Sequence, residues 1–225
     1  MRALGRLIRV REVPVLLGLV IVFVGTGLLN PIFFSVSILN DILFGVAIVA
    51  TLAIAQTFVI VMRHIDLSVG SVVGFTSFLI GDLSSKGFSL GAVLLAALLV
   101  GASVGAVNGF LVAYLGLPSL VVTLATLYIV RGIFNEVGKG QTIVESMVPE
   151  ELNWLGLNRL FGISYLFIIV LVLMVFAGFL MHRTRAARDL YAIGSNPSAA
   201  GLVGIPVKLR VLLAFTSTGA ISGLA

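Results

Sequence analysis

FSLGAVLLAALLVGASVGAVNGFLVAYL, residues 88–115, contains no charged side chain. A bilayer core about 30 Å thick needs about 20 apolar residues of helix, so this stretch is long enough to cross one. Within it Gly101, Gly105 and Gly109 recur every four positions and fall on one helix face, where a second backbone can approach closely. Helix packing is the reading for these three, with substrate contact as the alternative. Asn108 beside them is polar in an apolar run and needs a partner helix, a headgroup or water, which makes it a candidate for lining a pathway.

Similar apolar segments lie on both sides, at 13–30, 42–62, 69–84, 118–134, 161–181 and 209–225. The expectation is an all-α polytopic transmembrane bundle with seven spans, residues 1–225 forming a single membrane domain. Breaks fall at Asn30-Pro31, at Arg63-His64, at Ser84 to Gly87, at Gly116 to Pro118, and in two long polar stretches from Asn135 to Arg159 and from His182 to Arg210. Arg2, Arg6, Arg9 and Arg11 before the first apolar run resemble a signal peptide. That run ends in Leu-Leu-Asn-Pro rather than a small-x-small site, so it reads as the first span.

Composition agrees. Hydrophobic residues make up 60% of the chain and charged residues 10%, against roughly 25% charged in soluble domains. The net charge of +5 sits between apolar runs rather than along one face, which argues against nucleic acid and for membrane lipid as the surroundings. With no cysteine, disulfides, thiolate catalysis and thiolate zinc sites are excluded, and only His64 and His182 remain as imidazoles.

Lysine and arginine near span ends favour the cytoplasm. If the N-terminus with its four arginines is inside, six crossings place 182–210 inside too, with Arg183, Arg185, Arg188, Lys208 and Arg210. Nine of the fourteen basic residues then face the cytoplasm. The stretch 135–160 holds Glu136, Glu145, Glu150 and Glu151 against Lys139 and Arg159, which suits the outer side. There Val148 to Leu160 reads as either a short interfacial helix or a capped loop, with Trp154 as an anchor.

Three further places carry candidate function. In Arg63-His64-Ile65-Asp66-Leu67-Ser68-Val69-Gly70-Ser71, Asp66 reads as a helix N-cap or as pathway lining together with Ser68, and Arg63 and His64 are positioned to neutralise it. In the fifth segment Pro118 suits a helix start, and Thr123 and Thr126 lie near one face, bonding back to their own helix or meeting a polar solute. In the inner loop, Ser195 or Asn196 caps a short helix begun by Pro197, holding Ala199 and Ala200 and ended by Gly204. Such a helix either fits a groove on a cytoplasmic partner or is a solvated connector.

Taken in order and spacing, Ile65-Asp66-Leu67-Ser68-Val69-Gly70-Ser71, Leu117 to Leu124 continuing to Arg131-Gly132, and Tyr191-Ala192-Ile193-Gly194-Ser195-Asn196-Pro197 with Ala199-Ala200 and Gly204-Ile205 resemble the permeases of the ribose, xylose, rhamnose and autoinducer-2 branch of ABC importers. The resemblance implies a bacterial inner-membrane permease with a cytoplasmic N-terminus. It would import a sugar or sugar-like solute, and its partners would be a second permease copy or paralogue, a cytoplasmic ATPase and an external sugar-binding protein. ATP would bind the separate ATPase, so no cofactor is expected here. Residues 182–208 would form the coupling loop, with Gly194, Ser195, Asn196, Pro197, Ala199, Ala200 and Gly204 as its contact residues. Many members carry Gly-Gly where this chain has Arg63-His64, and a basic residue where it has Gly201. An arginine followed by a polar residue before Ile-Asp looks more like the autoinducer-2 and rhamnose subgroups. The family has roughly ten spans, so a chain that stops at Ala225 inside an apolar run reads as C-terminally truncated.

A secondary transporter or channel is the alternative, but Asp41, Asp66 and Asp82 fall near segment ends instead of inside spans. An enzyme is not expected, since there is no His-Glu-x-x-His and no convergent acid pair. Gly138-Lys139-Gly140-Gln141-Thr142 lacks the glycine spacing and the hydroxyl residue of a phosphate loop.

Overall fold

The computed structural model describes residues 12–141 and 143–225. Arg2, Arg6, Arg9 and Arg11, which carry part of the orientation argument, and Thr142 lie outside the described residues. Among these, ten helices follow one another: α1 (Glu12–Leu29), α2 (Val36–Val61), α3 (Val69–Ser85), α4 (Leu90–Ala113), α5 (Ser119–Gly138), α6 (Glu150–Leu157), α7 (Tyr165–Arg183), α8 (Arg185–Ser195), α9 (Pro197–Leu202) and α10 (Val207–Leu224). Five of them, α2, α4, α5, α7 and α10, are long and apolar enough to cross a membrane. Two shorter apolar helices, Val13–Leu29 and α3, bring the apolar set to the expected seven. The protein is a multi-pass membrane protein.

Its surface is apolar and its polar groups are inside, the reverse of a soluble fold. Leu29, Ile21 and Leu28 on α1, Val49 on α2 and Val175 on α7 are exposed, whereas Asn108, Thr123, Thr218 and Ser222 are buried. α10 is the most enclosed span, with 39% of its apolar window buried, while α7 is peripheral at 6%. α10 packs most extensively along α4 and also against α2, α3 and α8.

Glycine decides the α4–α10 contact. A Cβ on Gly101 would overlap the Gly219 carbonyl oxygen, one on Gly105 the Phe215 carbonyl oxygen, and one on Gly219 the Gly101 oxygen. Backbones that close admit no side chain, and dispersion between them replaces the hydrophobic drive that lipid cannot supply. The Thr218 hydroxyl adds a bond to the Ala55 carbonyl at 2.8 Å, tying α10 to α2.

Several boundaries differ from the sequence reading. The second span begins at Val36 rather than 42, because Ser35 caps it by accepting from the Ile38 N–H, and Asn40 hides its amide by donating to Val36 O at 2.7 Å. Helix therefore starts before the apolar run does. The fifth span extends to Gly138, with Pro118 as its N-cap and Ser119 as its first helical residue, one position later than expected. Outside the spans, α6 fills the place read as helix or loop, and Trp154 stacks on Tyr165 at 5.1 Å between ring centroids. A two-residue hairpin, Arg159–Leu160 against Ile163–Ser164, follows it. The inner loop holds two helices where the sequence reading placed one.

Candidate functional site

Between α2 and α3 the chain makes a turn over residues 62–68, and the polar candidates meet there. Asp66 Oδ1 accepts the Ser68 backbone N–H at 2.9 Å and the Ser68 hydroxyl at 2.6 Å. Ser68 Oγ accepts from Asn108 Nδ2 at 3.0 Å. The Thr126 hydroxyl faces two acceptors, Asn108 Oδ1 at 2.6 Å and its own helix at Val122 O, 3.0 Å. Thr123 likewise faces Ser119 O at 2.8 Å and Ile65 O at 3.3 Å. Gln56 of α2 donates to the Asp66 backbone carbonyl.

The donors thus run in one direction, from α5 through α4 to the carboxylate in the turn. Asp66, Ser68, Asn108 and Thr123 are all buried and Thr126 half-buried, so the five residues form a clasp across three segments, the turn, α4 and α5. Each one satisfies a neighbour that would otherwise be stranded in an apolar interior.

Two expectations for the turn need correction. Asp66 is not the N-cap of α3, since Ser68 holds that position without a side-chain bond to the helix, and Asp66 caps the turn before it. Nor do Arg63 and His64 neutralise Asp66: among the described residues it has no ion pair. Arg63 is exposed in the left-handed region at φ 63, and the His64 ring faces Phe215 at 5.8 Å.

The turn lies outside the spanning helices, and burial pushes the Asp66 carboxyl up, partly opposed by the hydroxyl and N–H of Ser68. Oδ2, which has no hydrogen-bond partner, is where the proton would sit. Because folding raises this group, its stabilising effect is full below the ordinary carboxyl value of about 4 and is lost as pH rises through the folded value. Burial pushes His64 down, a contribution of the opposite sign. Thermal unfolding in detergent from about pH 4 to pH 7 is therefore expected to show a more negative slope in the native chain than in Asp66→Asn. Parallel curves would show that this carboxyl does not titrate with folding.

The second cluster is the loop pair α8 and α9. Thr184 caps α8 by accepting the Ala187 N–H, and α8 buries Ala187, Leu190, Ile193 and Gly194. Gly194 rests so closely on the end of α2 that a Cβ would overlap the Val61 carbonyl oxygen. Asn196, not Ser195, caps α9, accepting from Ala199 N at 3.1 Å, and Pro197 is its first residue. Ser195 ends α8. Gly204 follows α9 with φ 84, a conformation that suits glycine. Ala200 is buried, whereas Ser195, Asn196, Pro197 and Ala199 face outward.

One core joins the two clusters. Leu190, Ile193 and Ala200 pack with Val59 and Met62 of the α2 end, Val112, Val122, Val211 and Phe215. Val112 and Val122 lie on the helices that carry Asn108 and Thr123. Arg210 of α10 also holds Asp189 of α8, at 2.8 Å from Nε and 2.6 Å from Nη2.

Gln56, the Arg210–Asp189 pair and the α10 face of Gly219 and Gly223 were missed in the sequence, and Gly194, read there as a coupling-loop contact, is buried against the end of α2. Gly219 and Gly223 repeat the four-residue spacing of α4, and that spacing was the signal available.

The chain is thus a membrane-spanning helical bundle in which a polar clasp and a pair of loop helices share one core. The family described as branched-chain amino acid transport system / permease component matches residues 38–225, and the chain belongs to it. The Autoinducer 2 import system permease protein LsrC of Escherichia coli O9:H4 (strain HS) is 35% identical over 215 residues, covering 96% of this chain and 62% of that protein. The protein of the same name from Shigella flexneri is 36% identical over 215 residues, and that from Salmonella paratyphi B 35%, with the same coverage. The chain therefore spans 62% of the length of these relatives. No solved structure matches.

Proposed function

We propose that the chain is the transmembrane permease subunit of an ATP-driven ABC importer that moves a sugar or sugar-like solute, autoinducer-2 included, into a bacterial cytoplasm. It sits in the inner membrane with its N-terminus and the 182–208 loop inside. A cytoplasmic ATPase, a second permease copy or paralogue and an external binding protein complete the assembly. Family membership and the relatives' names support the class.

The observation that carries the coupling role is the outward face of α9. Leu202 is 89% exposed and Val203 77%, at the tip of a polar loop, while Ala200 anchors the same helix in the core. An apolar tip on a rooted helix is suited to entering a groove on a partner. Force on α9 would pass through Gly194 to α2, through Arg210–Asp189 to α10, and by the glycine contact to α4. Rigid-body movement of packed helices would then open and close the clasp that holds Asp66, Ser68, Asn108, Thr123 and Thr126.

The test is co-purification with the ATPase encoded beside this chain. Leu202→Glu is expected to reduce recovered ATPase at least about tenfold, since burying an unpaired charge in an apolar groove costs more than the 1.4 kcal/mol of that factor. Membrane insertion should be unchanged. Native-level recovery with Leu202→Glu would remove α9 from the interface.

A further inference from the structure

A cleft of about 390 Å³ opens between α3 and α5, lined by Gly70, Ser71, Gly74, Leu127, Arg131 and Phe134. It adjoins the clasp: the Ser71 hydroxyl donates to Ser68 O at 2.8 Å, and Phe134 packs on Phe78 at 5.5 Å. Gly70 and Gly74 face open space, since a Cβ on either would meet nothing within 4 Å. Their role is therefore not the close helix contact that explains Gly101 or Gly219.

Arg131 is the unusual group. It lies twelve positions after the start of α5 and seven before its end, or about 18 Å and about 10 Å along the axis at 1.5 Å per residue. Among the described residues it has no ion pair and no side-chain hydrogen bond. A guanidinium that deep in a span is stable where water reaches it and costly where hydrocarbon surrounds it.

We infer that this cleft is a hydrated passage in which Arg131 admits small oxygen-rich solutes, neutral or anionic, and rejects cations. Arginine offers only donors and a fixed positive charge, so it binds hydroxyl, carbonyl and acidic oxygens and repels ammonium groups. No acid among the lining residues offsets it. The two open glycines leave width for a solute beside Ser71, whose oxygen is free to accept. The inference deepens the permease reading by naming the surface a solute meets, and rests on that reading for what passes; whether the cleft is wet and charge-selective is measurable without transport.

The chain has no native cysteine, so single cysteines report directly. Gly74→Cys and Leu127→Cys would be made in the chain in its native membrane, with Ile129→Cys and Val121→Cys as controls on the outer apolar face of α5, where those residues are 61% and 62% exposed. Each would be treated with sulfonatoethyl methanethiosulfonate, an anion, and with its trimethylammonioethyl counterpart, a cation. The cleft cysteines are expected to react with the anion at least about tenfold faster than the controls, and to prefer anion over cation by a similar factor, as a fixed positive charge lining the same cleft dictates. Adding Arg131→Gln should abolish or reverse that preference while the positions stay reactive. Cleft cysteines as slow as the controls would overturn the passage. Fast reaction with an unchanged preference in Arg131→Gln would overturn the role of the arginine. Neither result depends on the ATPase, so the permease reading would stand.

Discussion

Gly105→Leu is expected to lower the stability of the purified chain by at least about 3 kcal/mol, the upper end of overpacking costs, because the atom in the way is backbone and cannot rotate aside. A Cβ at 105 would already overlap the Phe215 carbonyl oxygen, and Thr216 Cα would lie 3.0 Å from it. The leucine therefore forces α10 outward along its length and loosens the Thr218 bond to Ala55. At roughly 2–4 °C per kcal/mol for a chain this long, unfolding in detergent should move down by about 6–12 °C. Gly91→Leu, near the start of the same helix, is the control: nothing lies within 4 Å of its Cβ, and leucine is the better helix former. Native stability is expected there. Gly219→Leu should match Gly105→Leu, and the double variant should lose less than the sum, because one displacement of α10 relieves both clashes. Full additivity would mean that the two glycines do not share one interface.

What could be read without coordinates follows from the period of the pattern. A four-residue glycine spacing in residues 88–115 identifies a packing face because helix geometry alone places Gly101, Gly105 and Gly109 together. The partner of that face was not legible, because α4 meets α10 across a hundred residues of chain and the matching glycines lie in the last span. The clasp was half legible for the same reason. Asp66, Ser68, Asn108, Thr123 and Thr126 each stood out as polar groups beside apolar runs, but their convergence depends on how three helices cross. Reading each one singly suggested a lining, and the fold joins them to one another or to nearby backbone while leaving Asp66 Oδ2 without a partner. Asp66 itself shows how local sequence misleads: an acid three residues before a helix looks like its cap, and the turn instead bends the carboxylate onto the Ser68 N–H and hydroxyl. α8 was missed because hydropathy scans reward uniformly apolar stretches, and α8 is amphipathic, its arginines outward and Leu190 and Ile193 inward.

Gly194→Val is expected to separate the loop helices from the bundle without unfolding the bundle. The added Cβ would overlap Val61 O, with Met62 Cα at 3.3 Å, so α8 must lift, and Leu190 and Ile193 must lift with it. Amide hydrogen exchange reads this locally. Amides of residues 185–203 should exchange at least about tenfold faster, equivalent to 1.4 kcal/mol of lost protection, while those of α4 and α10 keep native rates. Gly201→Glu is the companion variant, because position 201 faces open space and its exchange should stay native. The pair then discriminates between two ways of losing the ATPase. If α9 docks and α8 transmits, Gly201→Glu weakens co-purification with native exchange, whereas Gly194→Val weakens it only together with faster exchange. If Gly194→Val speeds exchange but ATPase recovery stays native, docking tolerates a loose root, and the link from α9 to α2 cannot be what carries force into the membrane.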